Sequence, residues 1–184
     1  LNYPKIYRIP IPFFKETRGK HYLTEDEVKQ LFNGIVSIEE KVDGKLGAEQ
    51  LDNDIFFYEY MKYKHTIPYL KLSSWKLYFD IWDSKRFLGL NEKRSAFIQL
   101  GMSYVRIIYH GIVEYKKLLK TLPKILELKT EYGHGDSKIE GIVIKNYNKQ
   151  LFGKVVNPKF EKEIDETGHW IKRKKIMNRL RRIK

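Results

Sequence analysis

The strongest constraint on this chain is the punctuation of its apolar segments. Stretches of strand length, rich in isoleucine, valine and aromatic residues, are closed by glycine or asparagine turns and seldom separated by helical patterns. Imperfect apolar and polar alternation over 35–42 stops at Asp43-Gly44, and further strands are expected at 55–60, 75–82, 104–109, 139–146 and 152–156. A short helix is expected after Thr24, where Glu27 completes a capping box ahead of Val28, Leu31 and Phe32. Two more are expected at 91–100 and 113–128, the second kinked by Pro123. Strands outnumber helices and rarely alternate with them in βαβ order, so the sequence predicts an α+β fold with mixed, largely antiparallel sheets and flanking helices. Residues 1–22, with prolines at positions 4, 10 and 12, read as an extended lead-in crossing a surface.

A chain of 184 residues that is 42% hydrophobic can bury a core as one domain, expected over 1–168, followed by a basic tail at 169–184 read as helical. There is no cysteine, which removes disulfides, thiol nucleophiles and thiolate zinc sites. No apolar run approaches the ~20 residues of a membrane span, and the first residues lack a leader pattern. A cytoplasmic protein without membrane association is the expectation, and no obligate protein partner is evident. The net charge of +13 draws the chain to polyanions. The tail concentrates that charge: Lys172, Arg173, Lys174 and Lys175, then Arg179, Arg181, Arg182 and Lys184, occur without an acid. Nucleic acid is the expected partner; a solvated helix end or an anionic membrane surface are the plainer readings of the same run.

Three short elements carry chemistry. The first is Glu40-Lys41-Val42-Asp43-Gly44, a lysine at the end of an apolar strand beside a carboxylate and a glycine turn. A lysine attacks phosphorus only as the neutral amine, so it needs a site that lowers its pKa through burial or neighbouring positive charge. Alone, this pattern also describes an ordinary strand followed by a turn. The second is Glu140-Gly141-Ile142-Val143-Ile144-Lys145, otherwise a buried strand with solvated ends, and the third is Gly153-Lys154, otherwise a surface lysine. His65, His110, His134 and His169 have no metal-site spacing, which argues against a metal hydrolase.

Taken in order, these elements resemble the covalent nucleotidyltransferase superfamily of RNA ligases, DNA ligases and capping enzymes. Lys41 to Gly44 matches its K-x-D-G motif, Glu140 to Lys145 its E-G-x-V-x-K motif, and Lys154 the lysine of its last motif. Tyr58-Glu59-Tyr60, with the Lys64-His65-Thr66-Ile67 run, and Leu77 to Asp83 narrow the likeness to ATP-dependent RNA ligases of the phage RNA ligase 2 type. The resemblance implies that Lys41 takes AMP from ATP, that AMP passes to an RNA 5′-phosphate, and that a 3′-hydroxyl then displaces it. Lys145 and Lys154 would meet phosphate, Glu140 and Glu59 would engage Mg²⁺, and Phe79 would stack on adenine beside Asp80. Glu40, Asp43, Gly44 and Lys45 would complete the nucleotide site.

Departures from the family pattern are equally specific. The stretch from Lys45 to Tyr58 is shorter than usual and holds no arginine, so Lys45 or the Arg18-Gly19 pair is expected to supply the missing contact. Val156 and Asn157 stand where relatives place a second base. The substrates implied are RNA ends or a nicked RNA duplex, with Arg18 and Lys172 to Lys175 as nucleic-acid contacts. The alternatives are a basic nucleic-acid-binding module with degenerate or no ligase activity, a DNA ligase, or a capping-type enzyme, a class that usually carries a further domain. Truncation after Trp170 is expected to weaken RNA binding, measured by titration, more than lysine adenylation.

Overall fold

The computed structural model describes residues 2–15, 19–65, 67–133, 135–160 and 176–181. One sheet has five strands in the order β1 (Tyr7–Arg8), β8 (Leu151–Val156), β7 (Gly141–Asn146), β2 (Ile35–Lys41) and β6 (Ile107–Ile112). β1 runs parallel to β8, and the other neighbours are antiparallel. A second, antiparallel sheet holds β3 (Lys45–Leu51), β4 (Asp54–Tyr60) and β5 (Lys76–Trp82). Among the described residues three helices flank them: α1 (Glu25–Leu31), α2 (Leu90–Gln99) and α3 (Tyr115–Leu126). The fold is the α+β arrangement that the strand punctuation predicts.

β2 lies between two neighbours, and its residues Val36 to Glu40 are all buried. Alternation sends Val36 and Ile38 to one face, where they pack with Ile142, Ile144 and Val155 against Leu31 of α1 and Leu118, Leu122 and Leu126 of α3. The opposite parity leaves Ser37, Glu39 and Lys41 for the other face. A strand buried on both sides yet carrying two glutamates is poor in hydrophobic logic, and it marks the sheet's polar interior. At the entry to α1, Glu27 N–H donates to Thr24 Oγ1 at 3.2 Å and Thr24 N–H donates to Glu27 Oε2 at 2.7 Å, completing the expected capping box. The interior of the second sheet is aromatic, with Phe56, Tyr78 and Ile81 packed on Phe97 of α2.

Three expectations need correction, and one strand has no signal in the sequence. The lead-in is not a surface crossing: Ile9 and Ile11 enter the core with α1 and α3, and Tyr7–Arg8 forms β1. β3 carries no clear strand signal because its exposed positions and its Gly47-Ala48 pair blur alternation; it is an edge strand held through its backbone pairing with β4. The strand expected at 104–109 starts only at Ile107, since Val105 N–H is instead donated to Tyr78 O at 2.9 Å. Residues 176–181 of the tail are extended rather than helical, bridging Tyr63 and Leu72 through Met177 and Leu180. Lys172 to Lys175, Arg182 and Lys184 lie outside the described residues, as do Arg18, Thr66, His134 and His169.

The tail is sewn in by Asn178. Its side chain accepts from Tyr69 N–H at 3.0 Å and donates to Met61 O at 2.7 Å, and its own N–H donates to Lys62 O at 2.9 Å. Truncation after Trp170 would therefore remove structure as well as charge. Asn178→Ala strands a buried donor and a buried acceptor and is expected to destabilise the fold by roughly 2–4 kcal/mol, read as a lowered denaturant midpoint with an unchanged slope.

Candidate active site

A cleft of about 250 Å³ lies between the two sheets. Glu39 and Lys41 of β2, Val143 and Lys145 of β7 and Lys154 of β8 form one wall. Their shared parity follows from the register, which sets Glu39 opposite Val143 and Val143 opposite Lys154. Leu46 of β3, Glu59 of β4 and Phe79 of β5 form the other wall, and Tyr3, Pro4 and Ile6 of the lead-in close one side.

Lys41 Nζ donates to both oxygens of Glu140, at 2.6 and 2.7 Å. Burial opposes a charge on Lys41, but the nearby Glu140 and Asp43 carboxylates outweigh it and hold the ammonium above the usual lysine value. The carboxylates around Lys41 thus work against the lowered pKa that a nucleophile needs. Positive charge drawn to Glu140 would lower it, whereas a further anion would raise it. Burial raises Glu140 as well, with Lys41 pulling the other way. Glu59 is pushed up to about 7 by burial, although Lys41 draws it down, and its Oε2 is buried with no hydrogen-bond partner. Lys154 is lowered to about 8 by burial and by the positive charges of Lys41 and Arg8.

Beneath the cleft sits a closed cluster of charge. Lys145 Nζ meets Glu39 Oε2 at 2.8 Å and Asp80 Oδ2 at 2.9 Å, while Lys93 Nζ meets Glu39 Oε1 at 2.8 Å and Asp80 Oδ1 at 3.2 Å. Tyr147 donates to Asp80 Oδ1 at 2.7 Å, and Tyr3 also donates to Asp80. Two carboxylates and two ammonium groups balance, and all four are almost wholly buried. A bulge at Phe57/Tyr58 leaves Phe79 without a ladder partner on β4, and the Phe79 carbonyl accepts from Lys93 and from Lys145 at 3.3 Å.

This cluster changes two expected roles. Lys145 lines the cleft, with Nζ 5.2 Å from the Phe79 ring centroid, but its charge is committed to Glu39 and Asp80 rather than open to phosphate. Asp80 does not line the cleft; it anchors the cluster. Glu40 lines the cleft, its carboxylate accepts from Thr130, and burial raises it to about 7. Asp43 N–H donates to Tyr69 OH at 3.1 Å, and His65 Nδ1 lies 3.4 Å from Asp43 Oδ1, so the histidine shapes the turn. A Cβ on Gly44 would stand 2.6 Å from Met61 Sδ, which is why the turn admits glycine. Lys45 is exposed on β3 and is not part of the cleft wall. Tyr3, Lys93, Tyr147 and Arg8 join the site without any local signal in the sequence; only long-range pairing brings them there.

Among the described residues, no group of three or more histidines, aspartates or glutamates is placed to hold a metal. The unpartnered Glu59 oxygen and Glu140 nevertheless offer hard oxygen donors to the cleft. Such a sparse set suits Mg²⁺, which keeps several waters and shares its shell with substrate phosphates. Also among the described residues, no helix is long and apolar enough to cross a membrane.

A family model described as RNA ligase matches residues 16–172. Among solved structures, a Naegleria gruberi RNA ligase with pyrophosphate superposes with a TM-score of 0.57 at 13% identity, over 77% of this chain and 55% of that one. A substituted form of the Naegleria gruberi enzyme with ATP and manganese gives 0.56 at 14% identity, over 76% and 54%. An Aquifex aeolicus protein assigned as an ATP-dependent DNA ligase gives 0.57 at 17% identity, over 89% and 51%. At these identities the likeness establishes the shared fold, and the chain spans about half the length of the structures it matches. No curated protein matches the chain in sequence.

Glu40 gives the site a pH signature. Folded, it keeps its proton to about pH 7; unfolded, it releases it near 4.5. The folded state then binds more protons between those values, so stability falls as pH rises through the window and levels off above it. Glu59 acts in the same direction. Melting temperature is expected to decline from pH 4.5 to 7, and Glu40→Gln is expected to flatten that decline.

Proposed function

Because this chain belongs to the RNA ligase family, we propose that it is an ATP-dependent RNA ligase acting through lysyl-AMP at Lys41. The observation that carries the proposal is Lys41 Nζ held 2.6 Å from Glu140 in a cleft that also presents Phe79, Glu59 and Lys154. In the first step the Lys41 proton passes toward Glu140, the freed amine bonds to the α-phosphorus of ATP, and the bond to the β-phosphate oxygen breaks to release pyrophosphate. In the second, an oxygen of an RNA 5′-phosphate bonds to the AMP phosphorus and Lys41 leaves. In the third, a 3′-hydroxyl bonds to the 5′-phosphorus and AMP leaves. Splitting one exchange into three lets a single lysine serve as acceptor and leaving group.

Each residue has a physical task. Phe79 presents its ring to adenine, a contact tolerant of base identity. Lys154 faces the phosphates, with its charge favoured below about pH 8 and strengthened by an anion. Glu140 orients Lys41 and draws its proton away before serving as a carboxylate ligand. Glu140 and Glu59 would hold Mg²⁺, which when bound disperses charge on the phosphate oxygens. Catalysis then rests chiefly on positioning and electrostatic stabilisation. Residues 1–168 would form the nucleotidyltransferase unit, and Lys172 to Lys175 would contact nucleic acid.

The test is incubation with α-labelled ATP and Mg²⁺, followed by denaturing electrophoresis and mass mapping. AMP on Lys41 is expected, and Lys41→Ala should abolish the label while leaving the melting transition in place. A label that persists in the Lys41 variant would sink the proposal. Transfer of GMP instead would indicate a capping-type enzyme, and a folded, unadenylated protein that takes no label would indicate a binding module. RNA and DNA strands compared after labelling read the substrate.

A further inference from the structure

A second groove, of about 180 Å³, opens beside the cleft. The lead-in from Arg8 to Lys15 forms one wall, Lys154 to Val156 the other, and Tyr22 also lines it. Lys154 borders both cavities, so groove and cleft meet at this side chain. Arg8 is fixed there by backbone pairing on two sides. It stands in register with Lys154, its N–H donates to His21 O at 3.0 Å, and its carbonyl accepts from Leu23 N–H at 2.8 Å. Gly153 permits this docking, since a Cβ would stand 2.7 Å from Ile9 Cγ1.

The groove is divided in character. Cations gather where it meets the cleft: Arg8 and Lys20 both act on Lys154. Farther along, the wall is apolar, with Pro10, Ile11, Pro12 and Phe14, and exposed Lys15 completes it. Pyrophosphate or a free phosphate would use the charged end and gain nothing from the rest. A nucleotide at the end of a strand matches both parts, since it carries an anion beside a sugar and a flat base. We propose that this groove seats the terminal nucleotide of a 5′-phosphorylated polynucleotide, its phosphate between Arg8 and Lys154 and its sugar and base along Pro10 to Phe14 and Tyr22. The assignment rests on the ligase reading and deepens it, because a phosphate held at Lys154 stands at the entrance to the Lys41 cleft.

The experiment measures binding of fluorescent strands bearing a 5′-phosphate or a 5′-hydroxyl by anisotropy, as RNA and as DNA, without ATP. The unsubstituted chain is expected to prefer the phosphorylated end by about tenfold, the worth of one charge-assisted contact. Arg8→Gln should remove most of that preference and Arg8→Lys should keep part of it. Lys15→Glu, which changes an exposed wall residue outside the β1 pairing, should weaken the phosphorylated strand without loss of fold. A preference that survives in both Arg8→Gln and Lys15→Glu, or none in the unsubstituted chain, overturns the assignment. So does displacement of the strand by pyrophosphate at matching concentration, which would identify a leaving-group seat. Lysine labelling is read separately: an end preference without labelling would remove the ligase reading and leave the groove.

Discussion

The balanced cluster of Glu39, Asp80, Lys93 and Lys145 holds the rest of the structure in relation. Its members come from β2, β5, α2 and β7, so it ties one sheet to the other at the base of the cleft. Removing charges this deep from water is costly, and the cost is offset only while every partner remains in place. The loss of one member would leave an uncompensated charge inside the protein, which makes the arrangement specific rather than merely cohesive. Tyr147 and Tyr3 satisfy Asp80 further, and the bulge at Phe79 frees a carbonyl that both lysines use.

With the sheets fixed in this way, the cleft above can hold charges that are not balanced. Lys41 and Glu140 pair closely, Glu59 keeps an unpartnered oxygen, and burial and neighbouring cations disfavour the charge on Lys154. Lys41 rests as an ammonium beside these carboxylates, and burial favours the protonated forms of Glu59 and Glu140. A phosphate chain and a hard cation would relieve both conditions together.

The lead-in shows how much a locally featureless segment can contribute. Its prolines interrupt periodicity, so it reads as surface chain, yet Ile9 and Ile11 fill the core and Tyr3 closes the cleft. Parallel pairing of β1 with β8 joins residues more than a hundred positions apart, and no local pattern announces such a contact. β3 escaped for the opposite reason: an edge strand with exposed side chains is defined by its backbone partner, not by its own alternation.

The sequence by itself determined the local matters. The capping box at Thr24 and Glu27, the strand ending in Lys41, the Glu140 to Lys145 strand and the order of the charged motifs are short-range features, where residue type and spacing fix conformation directly. They sufficed to indicate the α+β class, and their order carried the resemblance to nucleotidyltransferases. Only the tertiary structure decided what each charge faces. Lys41 and Lys145 are both lysines at strand ends, but one meets a single carboxylate in an open cleft and the other is closed between two. Their difference lies in partners brought by Glu140, Glu39 and Asp80 across the fold, and electrostatic character depends on those distances and on exclusion of water, neither of which is written in neighbouring residues.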